Sequence, residues 1–146
     1  MKMKGIRNFS SAFSKGRLTL SKLRDKATID DEISHVNLVF PDQYGRLTGL
    51  KLSADHFLNE VERGPGRMFE YKQNPFRFDV SGSEIINFFG VKMPESLLLQ
   101  PDMQTLREVQ PHEAMVMADV HSEEMRVVPY APRNAIKQLL PSEITT

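Results

Sequence analysis

This chain contains no cysteine, which removes disulfide frameworks, thiolate metal sites and Cys nucleophiles together. It has no apolar run long enough to cross a bilayer. No apolar core follows its basic start, as a secretory signal would require. The expected compartment is the cytoplasm. Several catalytic signatures are missing too. There is no Gly-Lys-Ser/Thr phosphate cradle and no H-E-x-x-H, and no G-x-S-x-G nucleophile turn. His35, His56, His112 and His121 never fall three or four residues apart. Asp119 and His121 would share a strand face by alternation, with Glu123 and Glu124 nearby. Polar residues at a strand end explain that pattern more simply, and neither a metal nor a cofactor is expected.

What remains is an ordinary globular composition. The chain has 146 residues and 16.7 kDa, 40% hydrophobic and 26% charged, which suits one domain with a buried core. Formal net charge is +0, but it is unevenly placed. Residues 1–26 hold eight basic side chains against one acid, Asp25, or about +7, which leaves about −7 for the rest. Such an arm can steer toward an anionic partner or fold back on its own acidic body.

Residues 1–16 are basic and rich in Ser and Gly, with Ile6, Phe9 and Phe13 at i, i+3 and i+7. This fits a flexible N-terminal arm. It also fits a short amphipathic helix for docking a partner, or a surface anchor or transit segment. Phe9 and Phe13 are the interface candidates within it. From residue 17 on, the pattern becomes that of a folded domain. Thr19 is placed to cap a helix over 20–27 with Leu20 and Leu23 inward. Val36 to Phe40 suits a buried strand, Asp42-Gln43-Tyr44-Gly45 a turn with Gly45 at positive φ, and Leu47 to Leu52 the returning strand. Ser53 opens a second helix bearing Phe57, Leu58 and Val61, which Gly64-Pro65-Gly66 stops. Pro65 to Asn87 reads as loop with short strand pieces. Ser96 to Gln100 and Ala114 to Val120 read as strands. Pro132 sits at the start of a last helix, whose inward face is predicted to be Ala135, Ile136, Leu139 and Leu140, up to Pro141. The sum is an α+β fold, a sheet with helices packed on one face.

Three ordered segments carry a family resemblance. The first is Val36-Asn37-Leu38-Val39-Phe40-Pro41-Asp42-Gln43-Tyr44-Gly45. The second is Glu95-Ser96 followed by apolar residues and Pro101-Asp102-Met103-Gln104-Thr105. The third is the strand Ala114 to Val120 and then Pro132-Arg133 opening a helix. Their order resembles the N-terminal β-grasp domain of glutamine synthetase over about residues 18–141. The resemblance implies a β-grasp-like mixed sheet for residues 17–146. Asp42, Gly45, Pro101, Asp102 and Thr105 read, from their own chemistry, as structural turn residues: Gly45 supplies positive φ, Pro101 presets φ, and Asp102 or Thr105 can satisfy turn amides through side-chain oxygens.

In that family a loop of the pattern F-D-G-S-S-I reaches the active site of the neighbouring subunit, and its Asp helps to bind and deprotonate ammonium. The resemblance aligns Phe78-Asp79-Val80-Ser81-Gly82-Ser83-Glu84-Ile85 with it. Asp79 is the implied counterpart of the ammonium-site Asp, and Ser81, Ser83 and Glu84 are the accompanying loop candidates. Val80 stands where the family has Gly. A β-branched residue resists positive φ, so a differently shaped loop is expected, for instance an Asx-turn over the Ser/Gly segment. Arg133 lies in a first helical turn, where a cation gains nothing from the helix dipole. It is therefore an interface candidate, seeking a carboxylate partner.

Glutamine synthetases continue beyond this domain into a larger catalytic domain. Phosphoryl transfer needs carboxylates that hold divalent metals and Arg residues on the phosphates. The Glu-x-Glu strand and N-G-S-G-x-H segment that supply them in the family have no counterpart here. The leading expectation is a non-catalytic binding or regulatory module, not an enzyme on its own. It would dock on a glutamine synthetase-type catalytic domain or form a homo-oligomer. The first alternative is the N-terminal fragment or remnant of an ATP-dependent glutamate–ammonia or glutamate–amine ligase. The second is a small nucleic-acid or ligand-binding protein, for which no aromatic stacking platform is visible. Neither nucleic acid nor a membrane is expected as partner.

Overall fold

The computed structural model describes residues 16–140 apart from Pro65, Ile86 and Phe89. The candidates Phe9 and Phe13, with the rest of the arm up to residue 15, lie outside the described residues, as do residues 141–146.

Among the described residues, three α-helices and a five-stranded mixed sheet make the architecture. They are α1 (Leu20–Thr28), β1 (Ile33–Pro41), β2 (Leu47–Ser53), α2 (Ala54–Glu62), β3 (Phe69–Tyr71), a 3₁₀ turn (Pro75–Arg77), a small hairpin of β4 (Asn87–Phe88) and β5 (Val91–Lys92), β6 (Leu97–Gln110), β7 (His112–Ser122) and α3 (Pro132–Leu139). The sheet order is β2-β1-β7-β6-β3. Every pairing in this sheet is antiparallel except one, where β1 runs parallel to β7. Residues 78 or 79 apart in the chain are thus paired within the sheet.

Local chemistry sets the helix starts. The Thr19 hydroxyl accepts from the Lys22 amide at 3.2 Å, and the Ser53 hydroxyl accepts from His56 at 3.2 Å. Each satisfies one of the amides a helix start leaves unpaired. Leu23 of α1 and Phe57 and Leu58 of α2 are buried against one face of the sheet. That face alternates as period two requires: Val36, Leu38 and Phe40 on β1, Ala114, Val116, Ala118 and Val120 on β7, and Leu97 and Leu99 on β6. Aromatic contacts tie the end of this core together. Phe40 meets Tyr71 edge-on at 5.6 Å and Phe76 at 6.0 Å, Phe76 meets Tyr130 at 5.4 Å, and Phe57 stacks on Phe69 at 5.8 Å.

Three expectations need correction. The segment Pro101-Asp102-Thr105 is not a turn. It lies inside β6, which runs straight through Pro101 for 14 residues. The register passes from Asp102 opposite Met117 to Arg107 opposite Met115, so a long bulge stands against β7. Side chains hold the bulge. The Thr105 hydroxyl donates to the Asp102 carbonyl at 2.7 Å and accepts from the Met117 amide at 2.8 Å, and Asp102 Oδ1 accepts from Gln104 N at 3.2 Å. Thr105 thus replaces the ladder acceptor that the bulge takes away from Met117. Thr105→Val keeps the shape but strands that amide. Equilibrium unfolding should show a loss of about 1–3 kcal/mol, and an unchanged stability would refute this role.

The second correction concerns the helices. Among the described helices, α1 and α2 pack on the core face. α3 crosses the end of β7, and its Arg133 and Lys137 bond Asp119, which alternation puts on the opposite face from Ala118 and Val120. The third concerns the inward side of α3. Its buried residue is Asn134, whose amide donates to the carbonyls of Val120 at 2.9 Å and Val128 at 2.8 Å. Ile136, Leu139 and Leu140 are exposed, Leu139 by 84%. In an eight-residue helix, two buried hydrogen bonds and the Asp119 ion pairs outweigh a short apolar stripe.

Candidate functional site

The β1–β2 turn and the loop after the 3₁₀ turn meet at one end of the sheet. Asp42 is buried there, and its Oδ1 accepts from the amides of Tyr44 and Arg46, both at 2.9 Å. Gly45 takes φ +78° and closes the turn with its amide 3.1 Å from the Asp42 carbonyl. The expected turn roles of Asp42 and Gly45 match this geometry. From the same turn, the Gln43 side chain donates to the carbonyls of Pro75 at 2.9 Å and Phe78 at 3.0 Å. Gln43 thereby fastens the 3₁₀ segment to the hairpin. Asn74 caps that segment, accepting from Phe76 N at 3.0 Å and donating to the Pro94 carbonyl at 2.7 Å.

Residues 77–85 form a short hairpin whose tip is Asp79–Ser83. Phe78 bridges Glu84, and Arg77 forms an ion pair with Glu84. At the tip, Asp79 Oδ1 accepts from Ser81 N at 2.8 Å, Ser81 Oγ at 2.6 Å and Ser83 N at 3.0 Å. The Gly82 amide returns to the Asp79 carbonyl at 3.1 Å. The positive φ falls on Gly82, at +84°. This is how the loop accommodates Val80, whose side chain stands 89% exposed at the tip. Asp79, Ser81, Ser83 and Glu84 thus belong to one hydrogen-bonded hairpin.

The Ser81 hydroxyl bond, then the Ser83 amide, hold the Asp79 carboxyl below its ordinary value of 3.8. A depressed carboxyl contributes order that is present above its unfolded pKa and lost as pH falls through the folded one. The tip should therefore stay ordered down to about pH 4 and loosen only in more acidic solution. An NMR titration of the Asp79 carboxyl carbon should give a midpoint under the ordinary value. A midpoint at or above it would contradict the loop geometry.

Two clefts open at this end. The first, about 600 Å³, lies between the turn and the loop, with Arg46, Lys72, Arg77, Tyr44, Phe78 and Asp79 among its walls. The second, about 950 Å³, lies beside it between Lys92–Glu95 and Ser122–Tyr130. Glu95 belongs to both. Glu123 closes the second by accepting from Ser96 N at 2.8 Å and Ser96 Oγ at 2.9 Å, which lowers its pKa.

Arg133 finds its carboxylates inside the chain. Its Nη2 is 2.8 Å from Asp102 Oδ2 and its Nε 3.1 Å from Asp119 Oδ1, with Lys137 at 2.8 Å from the same Asp119. Burial alone would raise the Asp119 pKa, but the Lys137 and Arg133 bonds outweigh it and the net direction is down. Arg133 is corrected from a seeker of an outside partner to a clamp between β6, β7 and α3. Asp119 is thus committed to cations, and among the described residues no three His, Asp or Glu side chains gather as a metal would require. Gln43, Asn74 and Asn134 are the positioning residues that the sequence reading missed. Asn74 before Pro75 carries a cap signal. Gln43 and Asn134 carry none, because their partners are distant carbonyls.

No protein-family model matches this chain, and no curated protein sequence matches it. Solved structures do. The chain is similar to GmaS, a γ-glutamylmethylamide synthetase of the glutamine synthetase type, in a structure of its ADP complex. There the TM-score is 0.55 at 22% identity, over 85% of this chain and 25% of that one. A GmaS structure without ligand gives a TM-score of 0.54 at 23% identity, over 83% and 24%. The chain thus spans about a quarter of the GmaS chains it matches, and shares the fold of that part.

Proposed function

We propose that this chain is a glutamine synthetase-type β-grasp module that works by docking on a catalytic partner, without catalysing a reaction itself. The observation that carries the proposal is the coincidence of fold and loop. A sheet superposable on part of GmaS holds, at one end, a preformed hairpin with Asp79 at its tip. In this reading Asp79 is the counterpart of the family's ammonium-site Asp. Gln43 and Asn74 fasten the base of its hairpin, and the exposed Val80 makes first contact with the partner. Preorganisation of this kind lowers the ordering cost of binding.

The test is solution mass with and without a full-length glutamine synthetase-type enzyme. The expected result is a complex heavier by multiples of 16.7 kDa, weakened at least tenfold by a Val80→Asp, Ser83→Pro double substitution. No complex with any such enzyme, or one indifferent to the loop, would overturn the reading. A match to one quarter of GmaS also favours a second reading, the N-terminal part of an ATP-dependent glutamate–ammonia or glutamate–amine ligase. Detection of this domain in its source cell as part of a longer polypeptide that binds magnesium-nucleotide would decide for that reading.

A further inference from the structure

The hairpin between β7 and α3 carries a feature that folding alone does not explain. Its tip is Glu123-Glu124-Met125-Arg126, closed by Ser122 N to the Arg126 carbonyl at 2.7 Å and Met125 N to the Ser122 carbonyl at 2.8 Å. Met125 sits there at φ +62° with its side chain 69% exposed. A non-glycine residue at that φ costs backbone energy which glycine would spare, and most of this methionine's surface faces solvent. Backbone outliers of this kind gather where a surface is used. Glu124 is also exposed, and among the described residues its ion-pair partner is Arg126 at 3.6 Å.

The complement of this tip lies beside it. β1 and β7 run parallel, so the turn after β1 and the hairpin after β7 leave the same end of the sheet. The cleft between that turn and the Asp79 loop shares Glu95 with the cavity under the hairpin. In the cleft, Tyr44 and Phe78 offer exposed rings. Lys72 is exposed and has no ion-pair partner among the described residues, whereas Arg77 is held by Glu84 and Arg46 lies 3.5 Å from Asp42. The cleft thus offers the Phe78 ring, the Tyr44 ring with Arg46 over one side at 5.1 Å, and the Lys72 ammonium. The hairpin tip offers a thioether and a carboxylate, which those groups recognise.

We propose that a second copy of this chain binds at this end of the sheet, each Glu124–Met125 tip seated in the other's Tyr44–Lys72–Phe78 cleft. Donor and receptor sit side by side on one end, so a two-fold axis satisfies both contacts at once and closes the assembly at a dimer. The Asp79 hairpin forms one wall of the cleft, so the dimer covers it. Self-association and the docking proposed above therefore compete for one surface. The dimer does not depend on the docking reading.

Sedimentation of the full chain over a range of concentrations tests this. The expected result is a reversible monomer–dimer equilibrium. Lys72→Glu and Glu124→Lys should each weaken it at least tenfold, because each sets like charges face to face. Mixed in equal amounts, these two variants should recover a heterodimer, since both of its contacts then pair opposite charges. Met125→Gly should raise the melting temperature of the chain while weakening the dimer, which separates loss of the interface from loss of the fold. A chain that stays monomeric at every concentration, a dimer unaffected by these substitutions, or a mixture that fails to form the heterodimer would each overturn the proposal. Docking on a synthetase would be measured separately, at concentrations where the chain is monomeric, so that its result stands apart from that of the dimer.

Discussion

Replacing Gly49 with alanine should cost this protein about 3 kcal/mol or more. Gly49 lies in the middle of β2 opposite Val39 of β1. A β-carbon built on it would stand 2.0 Å from the Leu38 carbonyl oxygen and 3.0 Å from the Val39 α-carbon. Both are backbone atoms of the neighbouring strand, so no rotamer change relieves the overlap. β2 would have to separate from β1, and Leu38 beside the clash is fully buried. A domain of this size gives up roughly 2–4 °C in melting temperature per kcal/mol, so a fall of about 10 °C is expected. Calorimetry that found Gly49→Ala as stable as the parent would show that this close approach does not exist.

The second large effect is expected at Phe40. Its ring is fully buried at the end of β1 and touches both Tyr71 and Phe76. Phe40→Ala should lose about 3–5 kcal/mol, a sizeable part of a domain's total of 5–15. Its consequence reaches beyond stability. Phe76 follows the Asn74 cap and precedes Arg77, the base of the Asp79 hairpin. Phe76 also leans on Tyr130, at the start of the approach to α3. Removing the ring therefore loosens the platform under the Asp79 tip. Hydrogen exchange in Phe40→Ala should rise first at the amides of Phe76 to Ser83, ahead of those in β6 and β7. Uniform loss of protection across the sheet would mean that Phe40 supports the core without supporting the loop.

How much of this could be read in advance depended on whether the deciding partner was near in sequence. Thr19 and Ser53 cap with amides three residues away, and Asp42 binds amides two and four residues on. Such signals are local, and the first two helices, the first hairpin and its turn follow from them. The Asp79 tip was legible for the same reason, since Ser81, Gly82 and Ser83 are its own neighbours. β6 was cut short at Gln100 because Pro101 reads as a breaker. What keeps the strand going is Thr105 supplying an acceptor to Met117, twelve residues away. α3 was turned the wrong way because Ile136 and Leu139 carry the periodic apolar signal. What sets its orientation is the Asn134 amide bonded to the carbonyls of Val120 and Val128. Arg133 in a first helical turn suggests a partner outside the chain, because nothing local shows that Asp102 and Asp119 come together on adjacent strands to bind it. The end of the sheet where both clefts open was hidden too, because it exists only through the β1–β7 pairing.

That pairing also sets the order of events on the ribosome. A nascent chain that has emerged as far as Gly64 possesses α1, the first hairpin and α2, yet one long flank of β1 still has nothing to bond with. Val36 and Leu38 wait for Ala114 and Val116, so the middle of the sheet is the last part to close. Contacts so distant along the chain slow folding. During synthesis the unpaired flank of β1 is the stretch most in need of a chaperone's cover.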